Sequence, residues 1–301
     1  MRIYLNGGTH LNWNCSGMAY LSCIFQRIIL EVKQVCLFSK SPRIGDLGGT
    51  PRNSRSRNHA LILDRILLYS LICLLSFSFA SPVWAGALFD RVSTFPDWHN
   101  KPPVDRATSD LIYPSWIAGT WRVKSTLFDL VAPLAPEIVT PGFESNRDYV
   151  NQPIEFNVRF AEQSNGVIAD RAFNGLNIAR AYLGDRAVLS VKVDPDSPNK
   201  QITFLKGDRI LTSTITGRAT ETPASNQFIT SEIFQQIFRG SAQPYLNQVE
   251  TTTAYNYSPN QITADQITAI YLSPQDPDYF KAGNTPVALY RYRLEFSPLN
   301  E

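Results

Sequence analysis

From Trp121 to Phe296 the chain keeps returning to one pattern, apolar and polar side chains in strict alternation. Trp121, Val123, Ser125 and Leu127 share one parity, and Arg122, Lys124 and Thr126 take the other. Successive side chains of an extended strand point to opposite faces, so this alternation predicts a strand with one buried face. Ile154, Phe156, Val158 and Phe160, set between Glu155, Asn157 and Arg159, predict a second strand, and Gln163-Ser164-Asn165-Gly166 closes it with turn chemistry. Further strands are predicted over 187–193, 201–206, 209–217, 247–257, 262–272 and 286–296. Proline-, glycine- and aspartate-rich runs separate most of them: 194–199, Gly207-Asp208, Ser258-Pro259-Asn260 and 273–277. Residues 226–239 read as a strand or as a short helix.

Residues 170–183 carry a different signal. Asp170 is placed to cap a short helix, and Ala172, Leu176, Ala179 and Leu183 have helical spacing, while Gly175 counts against it. Near residue 90, Leu88, Phe89 and Val92 fit one helical turn before Phe95-Pro96-Asp97-Trp98 and Lys101-Pro102-Pro103 break regular structure. The predicted fold is all-β: an antiparallel up-and-down barrel of eight or nine strands, with a short helix and an extended N-terminal arm. Strand spacing alone fits a sandwich equally well. Closure into a barrel removes the exposed edges and leaves an interior that side chains fill or that holds one small ligand.

Composition divides the chain. All four cysteines, both methionines and two of the three histidines precede residue 86. Residues 1–85 carry nine Lys/Arg against three Asp/Glu, whereas 86–301 carry 19 against 23. Arg52, Arg55, Arg57 and Arg65 lead into a 15-residue apolar run over 66–80, followed by Val83-Trp84-Ala85 and Gly86. A basic stretch, a short apolar stretch and small residues at the −3 and −1 positions together predict a cleaved secretory signal. A membrane-spanning helix needs about 20 apolar residues, so the run is short for a permanent anchor and the mature form is expected not to span a membrane. The plan is therefore a 1–51 extension that is unstructured or mis-annotated, a 52–85 signal peptide, an 86–115 arm and a 116–301 barrel. Translation is expected to start downstream of the extension, near Leu61 or Leu63.

The mature stretch narrows the chemistry. Without cysteine it has no thiol nucleophile, thiolate metal site or disulfide. A Ser-His-Asp triad would have to recruit His99 from the arm. No Gly-x-Gly-x-x-Gly or Walker sequence cradles a phosphate. The excess of acidic residues argues against nucleic acid as a partner. No catalytic residue, metal ligand or cofactor is assigned.

Gly119-Thr120-Trp121, opening the first strand, resembles the calycin signature of lipocalins and fatty-acid-binding proteins. The resemblance implies that Trp121 plugs one end of the barrel with an arginine from a late strand across it, here Arg291 or Arg293. The chain departs from those families in lacking a disulfide pair and in its greater length. Over about 114–296, the runs Trp116-Ile117-Ala118-Gly119-Thr120-Trp121, Pro133-Leu134-Ala135-Pro136, Asp170-Arg171-Ala172-Phe173-Asn174, Pro198-Asn199 and Thr230-Ser231-Glu232 are similar to an uncharacterised lipocalin-like family of cyanobacteria and plastids. That resemblance implies a thylakoid-lumen or periplasmic location. It supplies no activity.

Ligand-binding candidates are Tyr255 and Tyr257, sharing parity with Thr251 and Thr253, and Tyr290 and Tyr292, sharing parity with Leu294 and Phe296. Facing inward, these stripes make either an amphipathic cavity wall or a packed core. Arg218 with Glu221, Asp170-Arg171 with Asn174, and Glu232 either face the barrel, where they bind a carboxylate or fix a loop through charge-assisted bonds, or form surface ion pairs. The expected function is a non-enzymatic barrel binding a small apolar or amphipathic ligand: a pigment, quinone or lipid. The alternatives are a protein-interaction factor for a photosynthetic membrane complex, and a carboxylate-based enzyme or chromophore lyase.

Overall fold

The computed structural model describes residues 86–240, 243–259 and 261–299. The extension and the signal peptide expected before Gly86 lie outside the described residues. Alternation makes strands: β1 (Asp105–Arg106), β2 (Gly119–Val131), β3 (Pro153–Gln163), β4 (Gly166–Ala169), β5 (Val188–Asp194), β6 (Ser197–Leu205), β7 (Arg209–Glu221), β8 (Gln227–Arg239), β9 (Tyr245–Ser258), β10 (Gln261–Leu272) and β11 (Ala288–Pro298). Among the described residues three α-helices accompany them: α1 (Ala87–Ser93), α2 (Arg171–Leu183) and α3 (Tyr279–Ala282). The ambiguous 226–239 segment is a strand, held by ladders to β7 and β9 on its two sides. The 170–183 segment is a helix, its start fixed by Asp170 Oδ1, which accepts from the Phe173 N–H at 3.0 Å.

All strands join one antiparallel sheet in the order β4-β3-β2-β11-β10-β9-β8-β7-β6-β5, with β1 added at β7. The first long strand meets the last, Trp121 standing opposite Pro298. The path's two ends, β4 and β5, are not paired with each other, so the sheet is a curled half-barrel. Helix α2 connects those ends and packs against β3, β5 and β6. Among the described residues the strands number eleven rather than eight or nine. The additions are β1 and β4, of two and four residues, too short to display a period.

Between Ile215 and Gly217 the β7–β8 register shifts, leaving Thr216 as a bulge. The β6–β7 ladder ends at Lys200 opposite Thr214, and β1 takes the freed edge, with Asp105 opposite Arg218 and Arg106 opposite Gly217. The bulge changes the side-chain parity of β7, so that Leu211, Ser213 and, past it, Arg218 share the sheet face of Glu232.

Two cores result. Inside the curl, Ile117, Trp121, Val123, Leu127, Phe160, Ile262, Leu294 and Phe296 are buried together. Trp121 donates its indole N–H to the Ile117 carbonyl at 2.8 Å and meets Phe296 edge to face. Arg291 and Arg293 occupy the other parity of β11, on the outer face. Arg291 pairs with Asp265 and lies over Phe95 and Phe128, and Arg293 lies over Phe128. Phe296, not an arginine, therefore covers Trp121. The second core lies outside the curl, where the arm lays Trp98 over Ile267, Ala269, Tyr271 and Leu289. Among the described residues no helix is long and apolar enough to cross a membrane.

Candidate functional site

The inward positions of the sheet are not uniform. On β2, β10 and β11 they carry Trp121, Val123, Leu127, Ile262, Leu294 and Phe296, which fill the space between them. On β6, β7 and β8 they carry Gln201, Thr203, Ser213, Glu232 and Gln236, interspersed with Leu205, Leu211 and Phe238. Helix α2 faces this second group with Arg171, Asn174, Gly175, Ile178, Ala179 and Tyr182, one helical stripe at the i, i+3, i+4, i+7, i+8, i+11 spacing. Between helix and sheet lies a cavity of about 730 Å³, partly open to solvent. Gly175 sets the height of the helix over it. A Cβ at that position would stand 2.7 Å from the Gln201 amide, so a larger residue pushes the helix and β6 apart or displaces Gln201.

Several charged and amide groups at or beside the cavity are already paired. Glu232 faces Arg218 directly across the β7–β8 ladder and accepts from its Nε at 2.8 Å. The rest of the Arg218 guanidinium donates to Asn199 Oδ1 at 2.9 Å and to the Ser109 carbonyl at 2.5 Å. Asp170 caps α2 and pairs with Arg159 at 2.5 Å. Asn174 accepts from the Arg159 backbone N–H at 2.6 Å and donates to its carbonyl at 3.1 Å, clamping the helix to β3.

Arg171 differs. It occupies the first turn of α2 and lines the cavity, and its Nε is buried with no hydrogen-bond partner among the described residues. A buried donor left unpaired carries its full desolvation penalty, of about 1–3 kcal/mol, which marks a place where an acceptor fits.

Tyr113 and Tyr255 pack edge to face beside this group. Burial pushes both hydroxyls well above the ordinary phenol range, and the Glu232 charge pushes in the same direction. At Tyr113 the Arg171 and Arg218 guanidiniums pull the other way without winning. Both phenols stay neutral around physiological pH. At another point of the lining, burial and Asp276 push Tyr245 up to about 12.

The sequence-derived candidates are thus dispersed. Arg171, Asn174 and Glu232 come together at the cavity, while Asp170 caps α2 beside it and pairs with Arg159. Arg218 stands just behind its wall, bonded to Glu232 rather than to Glu221. Glu221 lies elsewhere, accepting from the backbone N–H groups of Gly86 at 3.0 Å and Leu88 at 2.9 Å. Tyr255 packs among Phe228, Tyr113 and Phe296, and Tyr257 stacks on Trp116 with centroids 5.5 Å apart. Tyr290 and Tyr292 are buried in the inner core, where Asn146 donates to the Tyr290 hydroxyl at 3.0 Å. Gly119 opens β2 with φ +118, a backbone conformation that suits glycine. Gln201, Leu211, Ser213, Gln236 and Phe238 line the cavity without having been singled out. For Gln201 and Ser213 the signal was a polar residue at the buried parity of 201–205 and 211–213; the bulge at Thr216 then changes that parity before Arg218.

Among the described residues no group of three or more His, Cys, Asp or Glu is placed to hold a metal ion. No curated protein and no solved structure matches the chain. A family model does match, over residues 105–300, from β1 to the end of β11. The chain belongs to that family, described as a domain of unknown function, DUF6816.

Proposed function

We propose that this domain is a lipocalin-like carrier whose cavity takes one small amphipathic molecule, a pigment, quinone or lipid. The observation that carries the reading is the hollow of about 730 Å³ between α2 and β6–β8, beside a packed remainder of the same curl. Small-molecule sites typically measure about 300–1,000 Å³ and join apolar walls to a few convergent polar groups. An enzymatic reading has less support: the half-buried carboxylate of Glu232 in the cavity wall is tied to Arg218. The test is mass analysis of small molecules extracted from the natively purified protein, together with uptake of an apolar fluorescent probe. A protein that emerges empty and takes up no probe overturns the reading. Leu211→Trp, which fills the cavity, is expected to abolish uptake.

The domain is also proposed to act after export, in a thylakoid lumen or periplasm. The Glu221 carboxylate already holds the Gly86 nitrogen, and a Cβ at residue 86 would lie 2.1 Å from that carboxylate. Cleavage after Ala85 would put a new α-ammonium there, turning a backbone hydrogen bond into a charge-assisted one. Intact-mass measurement of the native protein tests this: a mass beginning at Gly86 supports it, and a retained 66–80 segment refutes it.

A further inference from the structure

We infer that Arg171 anchors the head group of the bound molecule, and that this head group is a carboxylate on an apolar body. The inference rests on the carrier reading above. The cavity is lined by the charged side chains of Asp110, Arg171, Arg209, Glu232 and Arg239. Glu232 is neutralised by Arg218, and Arg209 donates its Nε to the Lys206 carbonyl. Arg239 is exposed. Arg171 alone combines a buried, unpartnered Nε with a place in the wall. Its sequence neighbour Asp170 does not neutralise it, being held by Arg159 and by the helix it caps.

A guanidinium presents parallel N–H groups that match two oxygens of one planar anion. A neutral acceptor would satisfy one donor and leave the charge. From Arg171 the helical stripe continues through Ile178 and Ala179, facing Leu205, Leu211 and Phe238. Head group and apolar body therefore have separate, adjoining places.

The experiment titrates the full chain with cis-parinaric acid and with its methyl ester, near neutral pH, following probe fluorescence. The acid is expected to bind about tenfold more tightly than the ester, as a charge-assisted bond in a sheltered site provides. Arg171→Gln is expected to erase that preference while leaving ester binding intact, which also shows that the variant cavity is folded. Arg171→Lys, charged but without the planar fork, is expected to restore part of it. Equal binding of acid and ester, or a preference that survives Arg171→Gln, overturns the inference and leaves the carrier reading standing. Failure of both probes to bind overturns the carrier reading itself. Stronger displacement by dodecyl phosphate than by dodecanoate overturns the assignment to a carboxylate.

Discussion

Glu250 is a fully buried charge on the outer face of the sheet. It accepts from Arg91 at 2.5 and 2.6 Å, from the Tyr271 hydroxyl at 2.8 Å and from Thr252 Oγ1 at 2.8 Å. Removing one partner of such a pair strands the other charge away from water, a loss of about 3–5 kcal/mol. Arg91→Met is expected to cost that much in urea-induced unfolding, and the double variant with Glu250→Gln less than the sum of the singles. Asp170 gives a pH-dependent counterpart. Burial raises its pKa, but the Phe173 N–H and Arg159 outweigh burial and hold it below the ordinary aspartate value. A depressed folded-state pKa means the contribution is whole above the ordinary value and disappears as pH falls through the folded one. Wild type is therefore expected to exceed Asp170→Asn by about 1 kcal/mol or less at neutral pH, the gap closing in acid. A gap that widens in acid contradicts the assignment. At this scale sequence reading had a specific weakness. Arg218 is expected with Glu221 near a strand end, but its partner is Glu232, brought opposite by the ladder after a bulge. Partners across a sheet are set by register, which local spacing does not encode.

At the scale of elements, the arm is bound more firmly than a surface segment usually is. Trp98 is 2% exposed, lies beneath Arg91 at 3.8 Å and donates to the Arg91 carbonyl at 2.8 Å. It covers Ile267, Ala269, Tyr271 and Leu289, so β10 and β11 are buried on both faces there. Trp98→Ala is expected to cost about 3–5 kcal/mol and to expose 86–104 to limited proteolysis under native conditions. Retained resistance to protease would place the arm's anchor elsewhere. The sequence made β2 and β3 most legible because apolar and polar side chains alternate along them with one buried parity. It left 226–239 open because Phe228, Ile229, Ile233, Phe234, Ile237 and Phe238 suit either period, and pairing on both sides decides the matter. Helix α2 was legible through its cap. Gly175, read as a mark against the helix, instead permits its approach to Gln201.

Across the whole molecule, the meeting of the first and last long strands was foreseeable from the strand series, but the opening between β4 and β5 was not. Strand ends that fail to pair leave no trace in periodicity, and the helix bridging them is recognisable only once both edges are placed. The resulting asymmetry has a measurable consequence. β2, β10 and β11 pack against a filled core, while β5, β6 and α2 border the cavity and the unpaired edge. Local opening requires less energy where fewer apolar contacts must be broken. Amide hydrogen exchange is therefore expected to be slowest in β2, β10 and β11 and faster by orders of magnitude in β5, β6 and α2. A ligand that binds only the folded protein adds RT ln(1 + [L]/Kd), about 2.7 kcal/mol at a hundredfold excess over Kd. If the cavity is the binding site, saturating cis-parinaric acid should slow exchange mainly in β5–β8 and α2, whose openings dismantle it. Amides in β2, β10 and β11 that already exchange through global unfolding should slow by no more than the global increment. Protection concentrated instead at the arm, over Trp98 and Glu250, would move the ligand to the outer face and separate binding from the hollow.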